Sequence, residues 1–433
     1  MDLISQKKLL MEVGSGTPMN ACLKRFWLPI ALSTDVAEND GDPMRVRTLG
    51  QDYVLFRDSE GRLGLLDELC THRSASLCLG RNEEGGLRCL YHGWKYAVDG
   101  TILDTPNVRD PRFKERVRQP AYAVREAGGI IWGYFGPQDK EPPFQHYPFF
   151  DLPDENIVVE LLVCSANYTR LVEGLIDTTH TGSLHQDALR QLVAGEGPAP
   201  SFGGKPRVAS AGVLAQDLAP DIEVQETDFG LRYAAISQHP QPDGTVRRRA
   251  RVTSFKHPTS ILIQSGHLAQ LVLPVDDDRS YLFMAFWDPT RNIRDGEARQ
   301  EIRTYYGIDD IAKDFYGAGR EFHDLPDRPN KSNNWRQDRE AMKNDSFTGL
   351  YRFIPEDFAV SASMGPVGRS PIEHLVPSDL AIARFRRQMI DNAQRVQKGE
   401  DPRGLAPREQ PRPAQYDIPE GEDWRDHYTR VAD

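Results

Sequence analysis

The sequence predicts an α+β protein in which a small all-β module precedes a larger domain built on an antiparallel sheet wrapped by helices. Short β-like runs separated by Gly, Asp and Asn turns fill residues 45–137, whereas longer strand candidates alternate with helical segments after residue 148. A Pro-rich stretch between these positions marks the boundary. The chain of 433 residues, 39% hydrophobic and 27% charged, is long enough for two or three ordinary globular domains.

The first 24 residues are predicted to be helical. Residues 6–13 have an amphipathic pattern that Gly14 and Gly16 stop, and a second helical stretch runs from Pro18 through Trp27. The all-β module is assigned to residues 25–142. Its strand candidates are residues 44–49, 52–58, 63–67 and 129–135.

The larger domain is assigned to residues 143–397. Its strand candidates are residues 155–163, 222–226, 231–237, 247–255, 260–265, 268–274 and 280–286, and its helical candidates are residues 168–180, 297–319 and 377–396. Runs of strands with helices packed against them favour the antiparallel arrangement. Residues 398–433 are rich in proline and charge, so we expect an extended or partly disordered tail.

Two short motifs in the all-β module, Cys70-Thr71-His72 and Cys89-Leu90-Tyr91-His92, each supply one cysteine and one histidine. Two thiolates and two imidazoles are the ligands of a Rieske [2Fe-2S] cluster, in which two neutral histidines on one iron raise the reduction potential. A tetrahedral zinc site accepts the same ligand types. Zinc fingers usually pair two cysteines and then two histidines, so one sulfur and one nitrogen per motif favour the cluster.

The composition argues against two classes of protein. A formal net charge of −11 disfavours a nucleic-acid binder. The sequence contains no run of eighteen apolar residues, so no membrane span is predicted. The charged start, residues 1–8, lacks the apolar core of a signal peptide, so a cytoplasmic protein is expected. The cysteines outside the motifs, Cys22, Cys78 and Cys164, are scattered, which suits a reducing compartment.

A second constellation, residues 177–185, places two histidines, His180 and His185, five residues apart, with Asp177 three residues before the first. A regular helix would turn the two imidazoles away from each other, so we expect Gly182 to relax the helix. Two imidazoles and one carboxylate on one face of an iron ion leave its other positions open, as in non-haem Fe(II) oxygenases. Histidines at this spacing are commoner as surface or capping residues. A one-electron carrier in the same chain favours metal binding, because it needs an acceptor.

The chain resembles the oxygenase (α) component of the Rieske non-haem iron aromatic-ring oxygenases, and most closely the phthalate dioxygenase group. Beyond the two metal motifs, the resemblance rests on residues 16–19 (GTPM), 25–29 (RFWLP), 81–84 (RNEE), 87–89 (LRC), 92–95 (HGWK), 357–360 (DFAV), 363–366 (SMGP) and 373–375 (EHL). It implies a helix-grip-like catalytic domain that follows the Rieske domain.

The spacing of residues leaves the third iron ligand open. The acidic candidates are Asp338, Glu340, Asp345, Glu356, Asp357, Glu373 and Asp379. The resemblance implies Asp357, for which the alternative is a carboxylate that binds free amides at a helix start. It also implies that Asp177 is an outer carboxylate, hydrogen-bonded to His180 and to His92 of the next subunit. Since the two metal centres of one chain would be too far apart, the resemblance implies a head-to-tail trimer or a stacked hexamer.

Substrate residues are predicted less directly. Arg247, Arg249 and Arg251 share one face of a predicted strand, and guanidinium groups that face the catalytic cavity would bind a carboxylate through paired hydrogen bonds. The alternative is a solvated hairpin edge, which the turn signal at residues 242–244 favours for Arg247 and Arg248. Arg251 is therefore the candidate substrate residue.

Two weaker candidates are Arg232, in a neighbouring strand, and Asn167, at the start of the iron-binding helix. A helix cap is the alternative for Asn167. The remaining histidines lack partners at ligand spacing and are expected to be structural or exposed. They are His146, His239, His257, His267, His323, His374 and His427.

The function implied by the resemblance is ring hydroxylation of an aromatic acid of the phthalate or benzoate type, within aromatic catabolism. Its requirements would be the Rieske cluster, mononuclear Fe(II), O2 and electrons from NADH through a separate reductase. One alternative is O-demethylation or other monooxygenation of a methoxylated, lignin-derived aromatic acid. A second alternative, a Rieske electron-transfer protein, is disfavoured because it would not need about 290 residues after the cluster domain.

Overall fold

The computed structural model describes residues 2–196, 200–202, 205–206, 217–241, 243–263, 267–308, 329–366 and 373–431. The chain divides into two compact units. The smaller unit contains residues 13–146, and the larger unit contains residues 1–12 and 147–433. The predicted boundary at residue 142 therefore lies four residues early, and the first twelve residues belong to the larger unit.

The two predicted N-terminal helices are present, with different ends. Helix α1 (Leu3–Met11) begins before residue 6 because Asp2 caps it and accepts a hydrogen bond from the Ser5 amide. Helix α2 (Pro18–Leu23) has Pro18 in its first turn and ends before Trp27. Residues 27–32 instead form a buried strand, which the sequence analysis did not predict.

Apart from α2 and short 3-10 helices, the smaller unit is built of β-strands, as predicted, and these strands form three antiparallel sheets. The strands are β1 (Trp27–Leu32), β2 (Met44–Thr48), β3 (Gln51–Arg57), β4 (Leu63–Asp67), β5 (Arg81–Glu83), β6 (Gly86–Arg88), β7 (Lys95–Tyr96), β8 (Ile102–Asp104), β9 (Ala123–Ala127) and β10 (Ile130–Tyr134). The sheet orders are β1-β10-β9, β2-β3-β4 and β5-β6-β7-β8. Cys70 and Cys89 belong to the same buried hydrophobic cluster as Phe56, Leu66 and Tyr96, so the core of this unit fixes both sulfur atoms.

The larger unit is organised around one antiparallel sheet of eight strands, as the sequence predicts. The strands of this unit are β11 (Ile157–Cys164), β12 (Ser201–Phe202), β13 (Lys205–Pro206), β14 (Asp221–Glu226), β15 (Gly230–Pro240), β16 (Val246–Lys256), β17 (Ser260–Ile263), β18 (Leu268–Pro274), β19 (Ser280–Trp287) and β20 (Ala414–Ile418). The order is β11-β19-β18-β17-β16-β15-β14, with β20 added beside β16, while β12 and β13 pair separately. All eight residues of β19 are buried, so both faces of this strand, which lies next to the edge strand β11, are covered.

Besides α1, the helices described in this unit are α3 (Tyr168–Ile176), α4 (His180–Leu184), α5 (Gln186–Val193), α6 (Gly296–Tyr306), α7 (Ala341–Asn344), α8 (Phe353–Ser363), α9 (Leu380–Gln397) and α10 (Trp424–Val431). Of these, α3, α9 and α10 pack against strands of the sheet. The helix predicted over residues 168–180 ends early, at Ile176. The helix predicted over residues 297–319 is observed only as α6, because Gly307 adopts the left-handed conformation and ends it after Tyr306; residues 309–319 lie outside the described part of the chain.

Short 3-10 helices complete the list. They lie at Ser33–Val36, Leu77–Leu79, Phe113–Glu115, Gln138–Lys140, Asp154–Asn156, Lys331–Arg336 and Pro377–Asp379. The last of these leads into α9, so together they account for the helix predicted over residues 377–396. Within the described residues, no helix combines the length and the apolar composition that crossing a bilayer requires.

The expectation of an extended tail over residues 398–433 is wrong for its second half. Strand β20 pairs with β16, and α10 packs beside it through Trp424 and Tyr428. The Trp424 indole also donates a 3.0 Å hydrogen bond to Glu223. The apolar side chains of this segment follow a spacing of two in Tyr416 and Ile418 and of four in α10, which are strand and helix signals. The sequence analysis missed these strand and helix signals because it relied on the high average content of proline and charge.

Candidate metal centres

The two histidines of the second constellation lie on either side of a short helix. Helix α3 ends at Ile176, and Asp177 leaves the helical conformation with a ψ of 122°. Helix α4 begins at His180 and runs through Gly182, while His185 occupies the joint between α4 and α5 with φ −99° and ψ 21°. The expected relaxation at Gly182 is therefore wrong. The joint at His185 lets the two imidazole centroids approach to 5.2 Å.

Asp357, which lies on helix α8, is close to both imidazoles. Its Oδ1 atom lies 3.6 Å from His180 Nε2 and 3.1 Å from His185 Nε2. The three potential ligand atoms lie within 4.8 Å of one another. Asp357 is the fifth residue of α8 and lies beyond its first turn, so the alternative role at a helix start does not apply to it. The structure thus brings together the three residues predicted to bind iron.

Each imidazole also has a carboxylate on its far side. His185 Nδ1 lies 2.6 Å from Glu356 Oε2, and the other oxygen of Glu356 accepts a 2.6 Å hydrogen bond from Thr348. His180 Nδ1 lies 3.5 Å from Asp177 Oδ2. Histidine ligands of metals usually donate their second N–H to such an outer carboxylate, which fixes the tautomer and the ring orientation. The Nε2 atoms of both rings therefore face the common centre.

The sequence analysis included Glu356 among the candidate ligands but assigned it no role. It is buried, with 2% of its surface exposed, beside the predicted ligand Asp357. Successive helical residues point about 100° apart, so two adjacent acids on α8 can serve the inner and outer sides of one imidazole. The adjacent acids Glu356 and Asp357 were the available signal in the sequence. Which nitrogen of His185 each acid faces could not be predicted, because His185 is distant in the sequence.

The electrostatics of this centre suit a cation. Burial raises the pKa of Glu356. Burial lowers the pKa of His185, but the nearby Asp357 and Glu356 outweigh it and raise that pKa to about 9. Burial also disfavours the charged form of Asp177, yet the adjacent His180 imidazole and the hydrogen bonds from Thr179 lower its pKa. Three carboxylates around two imidazoles fit Fe(II), whose charge of +2 would offset most of theirs.

The four cluster candidates lie on two loops that close in the same way. The Ser74 amide donates to the Cys70 carbonyl at 2.8 Å, and the Gly93 amide donates to the Cys89 carbonyl at 3.0 Å. Ser74 and Gly93 both adopt positive φ, of 55° and 75°. This left-handed conformation is easy for glycine and uncommon for serine. Each loop thus folds back on its cysteine and presents the histidine that follows.

The side chains of these loops fit a binuclear cluster. Both cysteines are buried and free of disulfides, and the His72 and His92 rings lie 4.5 Å apart. His92 Nδ1 is buried without a hydrogen-bond partner among the described residues, as expected of a ligand atom. The described residues contain one group of three ligand atoms within 4.8 Å, and it is the His180 group. Two buried thiols and two imidazoles, one of each from either loop, are the ligand types of a Rieske cluster.

Gln119 supports the first loop and was missed by the sequence analysis. Its amide nitrogen donates to the carbonyls of Asp67 and Leu69 at 2.8 and 2.9 Å, and its oxygen accepts from the Thr71 amide at 2.8 Å. Trp94 stacks on His72, with centroids 4.4 Å apart and planes 5° from parallel. No sequence motif marks Gln119, because it contacts residues about fifty positions earlier.

Among the substrate candidates, Arg251 lies next to the iron-site segment. It is on the face of β16 opposite Ala250 and Val252, which belong to the cluster beneath α10. Its Nη1 atom lies 3.3 Å from the Thr178 hydroxyl, one residue from Asp177. Arg247 is exposed, as predicted, and pairs with Asp417.

The structure does not support the other two substrate candidates. Arg232 is on the opposite face of β15 from Tyr233, forms an ion pair with Glu409 and lies 4.6 Å above the Tyr428 ring. Asn167 is the N-cap of α3, as the alternative held. Its oxygen accepts from the Thr169 amide at 3.1 Å, and its amide nitrogen donates to two backbone carbonyls.

The histidines expected to be structural or exposed contribute no ligand atom to the metal group of the described residues. His323 lies outside the described residues.

Comparisons with known proteins cover both units. A family model described as "Rieske [2Fe-2S] domain" matches residues 26–121, and one described as "LigXa C-terminal domain like" matches residues 133–433. The phthalate 4,5-dioxygenase oxygenase subunit of Pseudomonas putida is 36% identical over 98% of this chain and 94% of its own length. The 3-chlorobenzoate-3,4-dioxygenase oxygenase subunit of Comamonas testosteroni is 34% identical over 99% and 98%. The 5,5'-dehydrodivanillate O-demethylase oxygenase subunit of a Sphingobium strain is 27% identical over 92% and 82%.

Proposed function

The chain belongs to the Rieske non-haem iron oxygenases as an oxygenase subunit, and we propose that it hydroxylates the ring of an aromatic carboxylate of the phthalate or benzoate type. Both family models and the near full-length relatives support the premise. Such oxygenase subunits are oxidoreductases that work with separate electron-transfer partners and oligomerise.

The position of Arg251 is the observation that carries the choice of substrate. Its guanidinium contacts Thr178, next to the iron-site residue Asp177. A guanidinium binds a carboxylate through two parallel charge-assisted hydrogen bonds. Phthalate, chlorobenzoate and dehydrodivanillate, after which the three relatives are named, differ in ring substituents but share an aromatic carboxylate. A cation beside the iron-site segment suits the group that they share.

The metal groups have distinct roles in this proposal. When bound, the Rieske cluster supplies single electrons and the mononuclear iron activates dioxygen. Cys70, His72, Cys89 and His92 would hold the cluster, and His180, His185 and Asp357 would hold the iron. Glu356 keeps the Nδ1 side of His185 occupied, so that Nε2 faces the metal.

Asp177 is proposed to act between subunits. Its Oδ2 atom faces His180 Nδ1, and its Oδ1 atom accepts two 2.7 Å hydrogen bonds from Thr179. We propose that it also accepts a hydrogen bond from His92 of a neighbouring subunit, in a trimer or a stacked hexamer. A separate reductase would supply electrons from NADH.

O-demethylation of a methoxylated aromatic acid is the second candidate, favoured by the similarity to the O-demethylase subunit over most of both chains. The outcome depends on which substrate atom faces the iron. A ring edge at that position gives a cis-dihydrodiol, whereas a methoxy carbon gives a hemiacetal that collapses to a phenol and formaldehyde.

A substrate panel tests the proposal. Phthalates, chlorobenzoates, methoxybenzoates and biphenyl carboxylates would be supplied with NADH, a reductase and ¹⁸O2. Ring dihydroxylation places both labelled atoms in the product, whereas demethylation releases formaldehyde. Absence of a hydroxylated or demethylated product from every acid of the panel would refute both candidates.

Arg251→Met tests the carboxylate contact, with the exposed Arg247→Met as the matched control. Loss of a charged hydrogen bond costs about 1.5–3 kcal/mol, so the Kd for the acid should rise roughly 10- to 150-fold in Arg251→Met alone. Unchanged affinity in that variant would show that Arg251 does not bind the substrate carboxylate.

A further inference from the structure

A chain of hydrogen bonds runs from Arg251 into the segment that carries Asp177. Arg251 Nη1 donates to the Thr178 hydroxyl at 3.3 Å, and the Thr178 hydroxyl lies 2.8 Å from the Tyr233 hydroxyl. The Tyr233 hydroxyl in turn donates to the carbonyl of Ile176. We call these four groups the Arg251 relay. Its inner members are buried, and Tyr233 is 1% exposed.

The direction of each bond follows from the available protons. A guanidinium only donates, and a carbonyl only accepts. Tyr233 has one hydroxyl proton and gives it to Ile176, so the Thr178 proton must point to the Tyr233 oxygen. Burial raises the pKa of Tyr233, so the phenol keeps the proton that it donates. Hydrogen bonds aligned in one direction strengthen one another, so a change at Arg251 reaches the far end.

The relay holds both neighbours of Asp177. Ile176 is the last residue of α3, and its carbonyl is one of those that a helix end leaves without an intrahelical partner. Tyr233 satisfies that carbonyl on one side of Asp177 and contacts Thr178 on the other. Asp177 itself lies 3.5 Å from His180 Nδ1. A small shift at residues 176–178 therefore changes the separation between Asp177 and His180.

We propose that the Arg251 relay is a positioning device that reports a bound carboxylate to the Asp177–His180 pair. This inference rests on the proposed function, since it takes Arg251 as the carboxylate-binding residue. A carboxylate on Arg251 draws the guanidinium toward itself and weakens its bond to Thr178. The hydroxyls of Thr178 and Tyr233 then readjust, and Asp177 moves relative to His180. Thr178 and Tyr233 are positioning residues, because their hydroxyls bond to each other, to Arg251 and to the Ile176 carbonyl.

The device would link substrate binding to the route by which electrons are proposed to arrive. Asp177 is the proposed bridge to the neighbouring subunit, and His180 is a proposed iron ligand. A relay between Arg251 and this pair allows the iron site to distinguish a bound acid from an empty cavity. Its chemical signal is the carboxylate, so ring substituents matter little to it.

The test uses the full-length enzyme loaded with cluster and iron, with the cluster oxidised and oxygen absent. Nitric oxide added to the Fe(II) site gives an electron paramagnetic resonance signal that reports the geometry of the iron. Phthalate, benzoate and 3-chlorobenzoate are the probes. In the wild type, the acid that binds is expected to shift this signal. In Thr178→Val and Tyr233→Phe, the same acid should bind within about threefold of the wild-type Kd, while the shift falls at least fivefold.

Three comparisons separate the relay from a general loss of structure. Thr178→Ser keeps the hydroxyl and should restore the shift. Tyr147→Phe removes another buried hydroxyl, which lies 2.7 Å from Ser260, and should leave the shift unchanged. Iron content should stay at the wild-type level in all four variants. If Tyr233→Phe does not fold, Thr178→Val and its serine partner still decide the question.

The outcomes are distinct. A wild-type shift in Thr178→Val would overturn the relay, as would a bound acid that shifts nothing in the wild type. Lost acid binding in Thr178→Val would make Thr178 a substrate contact instead. If Arg251→Met binds the acids as tightly as the wild type, the proposed carboxylate contact fails. Acid-free spectra then still test positioning, because Thr178→Val should broaden the signal and an unchanged signal would exclude a role for Thr178.

Discussion

The ligands proposed for the cluster all lie within residues 70–92, whereas those proposed for the iron come from α4, the joint at His185 and the distant helix α8. Backbone hydrogen bonds shape the first site, since each loop closes on the carbonyl of its own cysteine. Carboxylate side chains shape the second site, since Asp177 and Glu356 each contact one imidazole. The cluster site is therefore a local structure, while the iron site depends on how helices pack.

This difference leads to an asymmetric expectation. A substitution in the iron unit should disturb the iron and leave the cluster intact, because the two compact units have separate cores. A substitution that loosens a cluster loop should do the reverse. The visible spectrum of the cluster and the iron content of the chain measure the two centres independently.

Asp357→Ala should have the largest effect. It removes the carboxylate oxygen that faces both His180 and His185, so product formation should cease and iron should fall from about three to about two atoms per chain. The visible spectrum should remain. Glu340→Ala, an exposed acid from the same candidate set, is the control. Turnover retained by Asp357→Ala would move the third ligand to another carboxylate.

Arg386→Met should have the next largest effect. Arg386 on α9 binds Glu173 at 2.7 and 2.9 Å and Glu373 at 2.7 Å, and the Glu173 carbonyl accepts from the Asp177 amide at 2.9 Å. Arg170 and Lys7 stay within 3.7 Å of the two carboxylates, so the loss should be about 1.5–3 kcal/mol, as for hydrogen bonds to charged groups, and not that of an unpaired buried charge. Unfolding in urea should show this loss in the larger unit, together with weaker iron binding.

Arg303→Met is the matched control for Arg386→Met. Arg303 on α6 binds the buried Glu160, so this variant loses a similar ion pair that does not lead to the iron segment. It should lower stability without changing iron affinity in the folded enzyme. Equal iron affinities in the two variants would contradict the idea that α9 holds the iron segment in place.

Glu356→Gln should have an intermediate effect. The amide keeps the size of the side chain but removes the charge beside His185 Nδ1. Loss of an outer-shell partner usually costs 10- to 100-fold in metal affinity or activity. Iron affinity, measured by competition with a chelator, should fall by roughly that factor. An affinity equal to that of Glu340→Gln would show that Glu356 is not needed to orient His185.

The same difference between the two sites explains what the sequence could predict. The cluster motifs and the spacing of His180 and His185 are local patterns, and strands β4 and β18 begin and end at the predicted residues because turn residues flank them. Asp357 came from the family resemblance, since spacing alone left seven acids open. The role of Glu356 was missed, because its partner is 171 residues away.

The errors have a similar origin. Arg232 is in a correctly predicted strand, but the alternation of side chains does not say which face is covered by α10 and which faces the iron segment. The break in the helix predicted over residues 168–180 depends on contacts of Ile176 and Thr178 with Tyr233, which a local pattern cannot contain. The tail was misjudged because average composition outweighed four well-spaced aromatic and aliphatic residues.

Gln119→Ala should have the smallest effect and should reverse the asymmetry. It leaves the Thr71 amide and the carbonyls of Asp67 and Leu69 without their buried partner, at a cost of about 1–3 kcal/mol. On heating, the cluster absorbance should disappear at a lower temperature than in the wild type, while iron affinity in the larger unit stays constant. Gln51→Ala, which loses one hydrogen bond to Asp67 in the same unit, is the control. If both variants lose the cluster at the same temperature, the first cluster loop does not depend on Gln119, and its own backbone closure is enough to hold Cys70 and His72.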